Sequence, residues 1–133
     1  MCALCAAATG ALKEDKMTQE LREITASEVS AKLLASEKFT ILDVRETWEL
    51  TYARISDEHV LNLPMSQIAR TLKESFPPEL RAPEVEIVVM CHHGVRSANV
   101  AMWMLQNGWN NVSSLAGGIA AYADEVDPLV GAY

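Results

Sequence analysis

The chain has 133 residues, half of them hydrophobic and under a quarter charged, the profile of one globular domain rather than of a disordered segment. Its net charge of −7 argues against a role on nucleic acid or on an anionic membrane, so any anion site has to be built locally from backbone N–H groups and a few cations. No apolar run approaches the length of a membrane span.

Residues 1–20 read as a flexible leader, with Met17 a possible internal start. Cys2 and Cys5 form a C-x-x-C there, away from any strand-to-helix junction and without a second Cys or His pair at zinc-like spacing. With Cys91 the cysteine count is three, an odd number that does not suit a disulfide framework. The start lacks the basic region of a secretory signal and the arginines of a transit peptide, so a cytoplasmic location is expected.

The domain is expected over residues 21–133. "TASEVSAKLLAS" carries a capping box, Thr25 with Glu28, and predicts a helix with Val29, Leu33 and Leu34 along one side. "FTILDV" reads as a buried strand ending at Asp43, "RETWEL" as a short helical turn, and "HVLNLP" as a second strand stopped by Pro64. "SQIARTLKESF" predicts an amphipathic helix with Ile68, Ala69, Leu72 and Phe76 inward, ended by Pro77 and Pro78. "VEIVVM" is the strongest strand signal. "SANVAMWMLQN" follows as a helix, with Ala98, Ala101, Met102 and Leu105 expected inward and Gly108 as its C-cap. "NVSSL" is a last strand, "GG" a tight turn, "IAAYADEV" a last helix and "DPLVGAY" a tail. Strands apolar on both faces alternate with helices, which predicts an α/β fold of three layers, a central parallel sheet with helices on both faces. Ligands in such sheets bind beyond the carboxyl ends of the strands, where Asp43 and Cys91 are expected.

The loop Cys91-His92-His93-Gly94-Val95-Arg96 joins a strand end to a helix start. The first N–H groups of a helix lack internal partners and carry positive partial charge. A short loop ahead of them can curl its own N–H groups toward the same point, making an anion cradle centred on the Cys91 sulfur. Gly94 permits the positive φ that such a curl needs, and Arg96 adds a fork of cationic donors. The surroundings suit a nucleophilic sulfur attacking an anionic electrophile. His92 and His93 are adjacent and do not converge readily on one ion, so no metal and no cofactor are expected. One histidine is expected to line the pocket mouth, the other to lie on the surface or pack.

The segments "ILDVRE", "VVMCHHGVRSANVAMWMLQNGWNNV" and "SLAGGIAAYADEVDP" occur in the order expected of a single-domain rhodanese, and the chain resembles that family from about Ile24 to Tyr133. The "CHHG-x-RSA" loop and the "GGI-AY…VDP…Y" ending look most like small rhodanese-like proteins of cyanobacteria and plants. The resemblance implies a rhodanese-like fold and sulfur transfer through a persulfide on Cys91. Thiosulfate would be a typical small anionic donor, and cyanide or a thiol the acceptor; a protein donor or acceptor is also compatible with it. It implies that the loop His92, His93, Gly94, Val95, Arg96 and Ser97 binds the substrate, with Arg96 helping to hold the loop and attracting the donor. Ser97 is expected to cap the helix and bond the sulfur, and Asp43 and Arg45 to support the loop. One stretch departs from the family: "ARISDEHVLNLP" has no glycine, and no proline before Pro64, where a Gly-His-Ile-Pro-Gly-Ala type segment is usual.

Two rival functions share the cysteine. A phosphatase or arsenate reductase of related fold uses C-x5-R, one residue longer than the four that separate Cys91 from Arg96 here. The smaller cradle suits a single sulfur better than a tetrahedral oxyanion. A persulfide carrier of low turnover would need Cys91 equally, and steady-state kinetics would separate it from an enzyme.

Overall fold

The computed structural model describes residues 20–133. The expected leader, with Cys2, Cys5 and Met17, lies outside the described residues, apart from Glu20. The elements run β1 (Arg22–Ile24), α1 (Ala26–Leu34), β2 (Thr40–Asp43), β3 (Val60–Asn62), α2 (Met65–Thr71), β4 (Ile87–Met90), α3 (Val95–Gln106), β5 (Val112–Leu115) and α4 (Gly118–Glu125). Short 3-10 turns cover Thr47–Thr51, Leu72–Ser75, Pro78–Leu80 and Pro128–Val130.

The five strands form one parallel sheet in the order β1-β5-β4-β2-β3. Alternation along the central strands divides the core in two. Leu42, Val44, Ile87 and Val89 face α2 and α3, where Ile68, Val100, Ala101 and Met104 meet them. Ile41, Val88 and Met90 face α1 and α4, against Val29, Ile119 and Tyr122. Both faces of β4 are therefore buried, as its unbroken apolar run requires. The order of strands reverses between β2 and β4. Asp43 pairs with Met90 across that boundary, so the chain leaves both strands at the same edge.

Several local expectations change. β1 has no apolar alternation and was not expected; it exists because β5 offers it a parallel edge, Ile24 opposite Leu115. α1 opens with the capping box, Thr25 N–H to Glu28 Oε1 at 2.9 Å and Glu28 N–H to Thr25 Oγ1 at 3.1 Å, but its Leu34 is exposed. The expected long helix over residues 66–76 stops at Thr71, where Leu72 turns outward at φ 52°. Phe76 still reaches the core from the end of the following 3-10 turn. In α3 the buried stripe is Ser97, Val100, Ala101 and Met104. Ala98, Met102 and Leu105, expected inward, are half-buried. The rotation has a polar cause, since Ser97 faces the sheet to meet Ser114 of β5.

The residues "DPLVGAY" are more than a loose tail. Asp127 caps their 3-10 turn, and Gly131 forms an isolated bridge with Ala53. Among the described residues no helix is long and apolar enough to cross a membrane.

Under α3, Trp109 is 1% exposed, lies 4.9 Å from the Phe76 ring and donates its indole N–H to the Leu80 carbonyl at 2.7 Å. Trp109→Phe removes volume and leaves that carbonyl unpaired, so a loss of about 2–3 kcal/mol is expected. Urea unfolding monitored by far-UV circular dichroism reads it, and an unchanged midpoint would refute this account of the packing.

Candidate active site

β4 delivers Cys91 to the carboxyl edge of the sheet, where the residue is 1% exposed. The chain then curls through Gly94 at φ 106°, which serves as the N-cap of α3. The Gly94 N–H reaches the Cys91 Sγ at 3.1 Å and the Ser97 N–H reaches it at 3.3 Å, while the thiol lies 3.5 Å from Ser97 Oγ. Helix-start dipoles thus converge on one sulfur atom. Ser97 does not cap the helix, because α3 already begins at Val95. Its hydroxyl donates to the Gly94 carbonyl at 3.2 Å and meets Ser114 Oγ at 2.8 Å, tying the loop to β5.

A second helix start fixes the loop from outside. The N–H groups of Ile119 and Ala120 donate to the carbonyls of Cys91 (2.8 Å) and His92 (3.1 Å). Gly118 makes this approach possible. At φ 64°, a Cβ there would fall inside the Cys91 and His92 carbonyls.

The planar fork of Arg96 is fixed by a carboxylate from outside the loop. Both ends of its fork are committed to Glu49, Nη1 to Oε2 at 2.7 Å and Nη2 to Oε1 at 2.9 Å. Glu49 is buried in the short turn after β2, and it also accepts the Tyr133 hydroxyl at 2.7 Å and the Glu46 N–H at 2.9 Å. The Arg96 guanidinium, aided by those two donors, holds the Glu49 carboxyl down at about 2 against the opposing effect of burial. The same pairing raises Arg96 further above its ordinary value.

Asp43 and Arg45 form a second pair at the end of β2, with Nε to Oδ1 at 2.9 Å and Nη2 to Oδ2 at 2.7 Å, both residues buried. Arg45 Nη1 continues to the Tyr133 hydroxyl at 3.2 Å. Asn62, at the end of β3, donates to the carbonyls of Asp43 (2.9 Å) and Arg45 (3.0 Å). The atypical 53–64 stretch therefore braces this edge through the Asn62 amide. His92 is half-buried and lies flat on the Tyr133 ring at 3.8 Å, while His93 is exposed and stacks on His92. Burial, then the neighbouring His93, lowers the titration of His92. Val95 is exposed on the rim. Among the described residues, no group of three His, Cys, Asp or Glu is placed to hold a metal ion.

A parallel sheet carrying a thiol in a helix-start cradle admits several families, and comparison with known proteins separates them. Residues 25–125 match the rhodanese-like domain. The chain belongs to the rhodanese-like domain family. It is 34% identical over 107 residues to "Thiosulfate sulfurtransferase GlpE" of Actinobacillus pleuropneumoniae, covering 74% of this chain and 99% of that protein. It is 28% identical over 121 residues to "Rhodanese-like/PpiC domain-containing protein 12, chloroplastic" of Arabidopsis thaliana, covering 86% of this chain but only 38% of that larger protein. A solved rhodanese-like domain protein from Staphylococcus aureus superposes with a TM-score of 0.64 at 31% identity, covering 80% of this chain and 95% of that one. The rhodanese-like fold expected from the sequence is the fold observed.

No local pattern in the sequence marks Glu49, Asn62 or Tyr133 as part of this arrangement. Glu49 reads as one more polar residue of a short turn, and nothing local marks it as the partner of an arginine 47 positions away. Tyr133 appears only as the last letter of a family-like ending.

Glu49 titrates lower in the fold than its ordinary value of 4.5. The unfolded chain therefore binds more protons between those limits, and acidification through that window favours unfolding. Glu49→Gln is expected to be less stable than the native chain near about pH 6 and to lose less further stability on going to about pH 3. Parallel urea titrations at the two pH values check this, and equal losses in the two proteins would exclude the assignment.

Proposed function

We propose that this protein is a rhodanese-type sulfurtransferase that moves a sulfane sulfur from a donor such as thiosulfate to a thiophilic acceptor, cyanide or a thiol, through a persulfide on Cys91. The observation that carries this reading is the convergence of the Gly94 and Ser97 N–H groups on the Cys91 sulfur. In the first step the thiolate attacks the outer sulfur of thiosulfate. The new Cys91 S–S bond forms as the donor's own S–S bond breaks, and sulfite leaves with the electron pair. In the second step cyanide attacks the terminal sulfur, thiocyanate departs, and the bonding pair returns to Cys91. The two displacements balance without an external oxidant or reductant, as covalent catalysis in two steps requires.

The site's electrostatics support this assignment. Anion stabilisation comes from oriented N–H groups held before the reaction begins. Arg96, neutralised by Glu49, serves the loop's shape more than the capture of a donor. The cradle is filled by the sulfur itself, which suits transfer of one sulfur better than the surrounding of a phosphate. The name of the 34% identical relative, a thiosulfate sulfurtransferase, supports the same class. A thiol nucleophile operates best where thiols stay reduced, so the reading carries a cytoplasmic location.

Treatment with thiosulfate is expected to add about 32 Da, one sulfur atom, at Cys91, detected by peptide mass spectrometry. Cys91→Ser is expected to abolish thiosulfate:cyanide turnover with its circular dichroism spectrum retained. Activity surviving in that variant would sink the mechanism. Hydrolysis of p-nitrophenyl phosphate without any thiosulfate:cyanide turnover would replace it with phosphatase chemistry.

A further inference from the structure

We propose that Tyr133 is a positioning residue for sulfur transfer at Cys91, its hydroxyl fixing the Glu49–Arg96 pair and its ring fixing His92. This rests on the sulfurtransferase reading above. Tyr133 follows the last 3-10 turn, and the chain leading to it is clamped. Leu129 N–H bonds Asp127 Oδ1 at 3.0 Å, Arg54 N–H bonds the Val130 carbonyl at 2.8 Å, and Gly131 bridges to Ala53. The clamp places the Tyr133 ring between Tyr52, at 5.6 Å, and His92, at 3.8 Å and 6° from parallel.

The hydroxyl sits between two buried ions. It donates to Glu49 Oε1 at 2.7 Å and accepts from Arg45 Nη1 at 3.2 Å. The same Glu49 oxygen takes Arg96 Nη2. Tyr133 thereby joins the Asp43–Arg45 pair of the β2 end to the Glu49–Arg96 pair of the α3 start. Arg96 lies between Gly94 and Ser97, the two residues whose N–H groups reach the sulfur. Play in Arg96 therefore becomes play in the cradle. The ring acts on the other side of Cys91, through its neighbour His92. The partners of the Tyr133 hydroxyl are Arg45 and Glu49 rather than the sulfur, so its influence passes through Arg96 and His92.

The two arms are separable by substitution. Tyr133→Phe keeps the ring and deletes the hydroxyl; Tyr133→Leu deletes both. In the full chain, Tyr133→Phe is expected to lower kcat for thiosulfate:cyanide transfer about fivefold with KM for thiosulfate within about twofold, the loss of one hydrogen bond acting through the cradle. Tyr133→Leu is expected to lower kcat about fiftyfold. Proton NMR gives a readout of geometry independent of turnover. The His92 ring protons are expected to be shifted upfield by the stacked Tyr133 ring in the native protein and in Tyr133→Phe, and to move downfield in Tyr133→Leu, where only the His93 ring still stacks on them. A merely structural role would lower the urea midpoint and leave kcat of the folded protein unchanged. Native-like kcat in both variants, or an unshifted His92 in the native protein, overturns the inference while leaving sulfur transfer standing. A native protein whose Cys91 takes up no sulfur from thiosulfate overturns the sulfurtransferase reading and this inference with it.

Discussion

The N–H groups of Ile119 and Ala120 reach across to the carbonyls of Cys91 and His92, and the geometry of the site follows from those two bonds. A chain leaving the end of a buried strand has carbonyls that need partners. Here the start of α4 supplies them. With its carbonyls held outward, the peptide after Cys91 is free to turn its later N–H groups inward, onto the sulfur. The start of α3 then meets the thiol from one side while the start of α4 holds the backbone from the other. Neither arrangement works alone. Without α4 the loop has orphan carbonyls, and without Gly94 and the first turn of α3 the sulfur has no donors.

Charge at the site follows the same economy, with Asp43, Arg45 and Glu49 buried and Arg96 half-buried. Four ionised side chains, Asp43, Arg45, Glu49 and Arg96, cluster at the carboxyl edge of β2 and β4, and each lies in a two-pronged pair. Pairing of this quality is what makes burial of such groups tolerable. Among the described residues no buried side-chain nitrogen or oxygen lacks a partner. The consequence for chemistry is that the positive potential at Cys91 comes from backbone dipoles more than from a free arginine. Tyr133 completes the arrangement by bridging the pairs through one hydroxyl.

The central strands and the cysteine loop were legible because their signals are local. "VEIVVM" is apolar on both faces and can only be covered on both, and Gly94 announces a left-handed turn before a helix. Other features failed for equally physical reasons. β1 carries no hydrophobic period, since its register comes from the edge of β5. The inward stripe of α3 was placed one position late because Ser97 reads as polar, yet its hydroxyl finds Ser114 inside the fold. Leu72 looks like a core residue of a continuous helix until the helix breaks beneath it.

The order of residues by itself determined an α/β chain with a parallel sheet, a single cysteine at a strand-to-helix joint, and the four-residue spacing from that cysteine to Arg96. These are properties of periodicity and spacing along a single stretch. What only the tertiary structure decided is which groups, distant in the chain, come to meet that joint. Glu49 claims Arg96 from 47 residues away, Ile119 and Ala120 hold the loop's carbonyls, and Tyr133 reaches back to Arg45 across 88 positions. Such partners are chosen by the crossing of strands and helices, which no local pattern encodes.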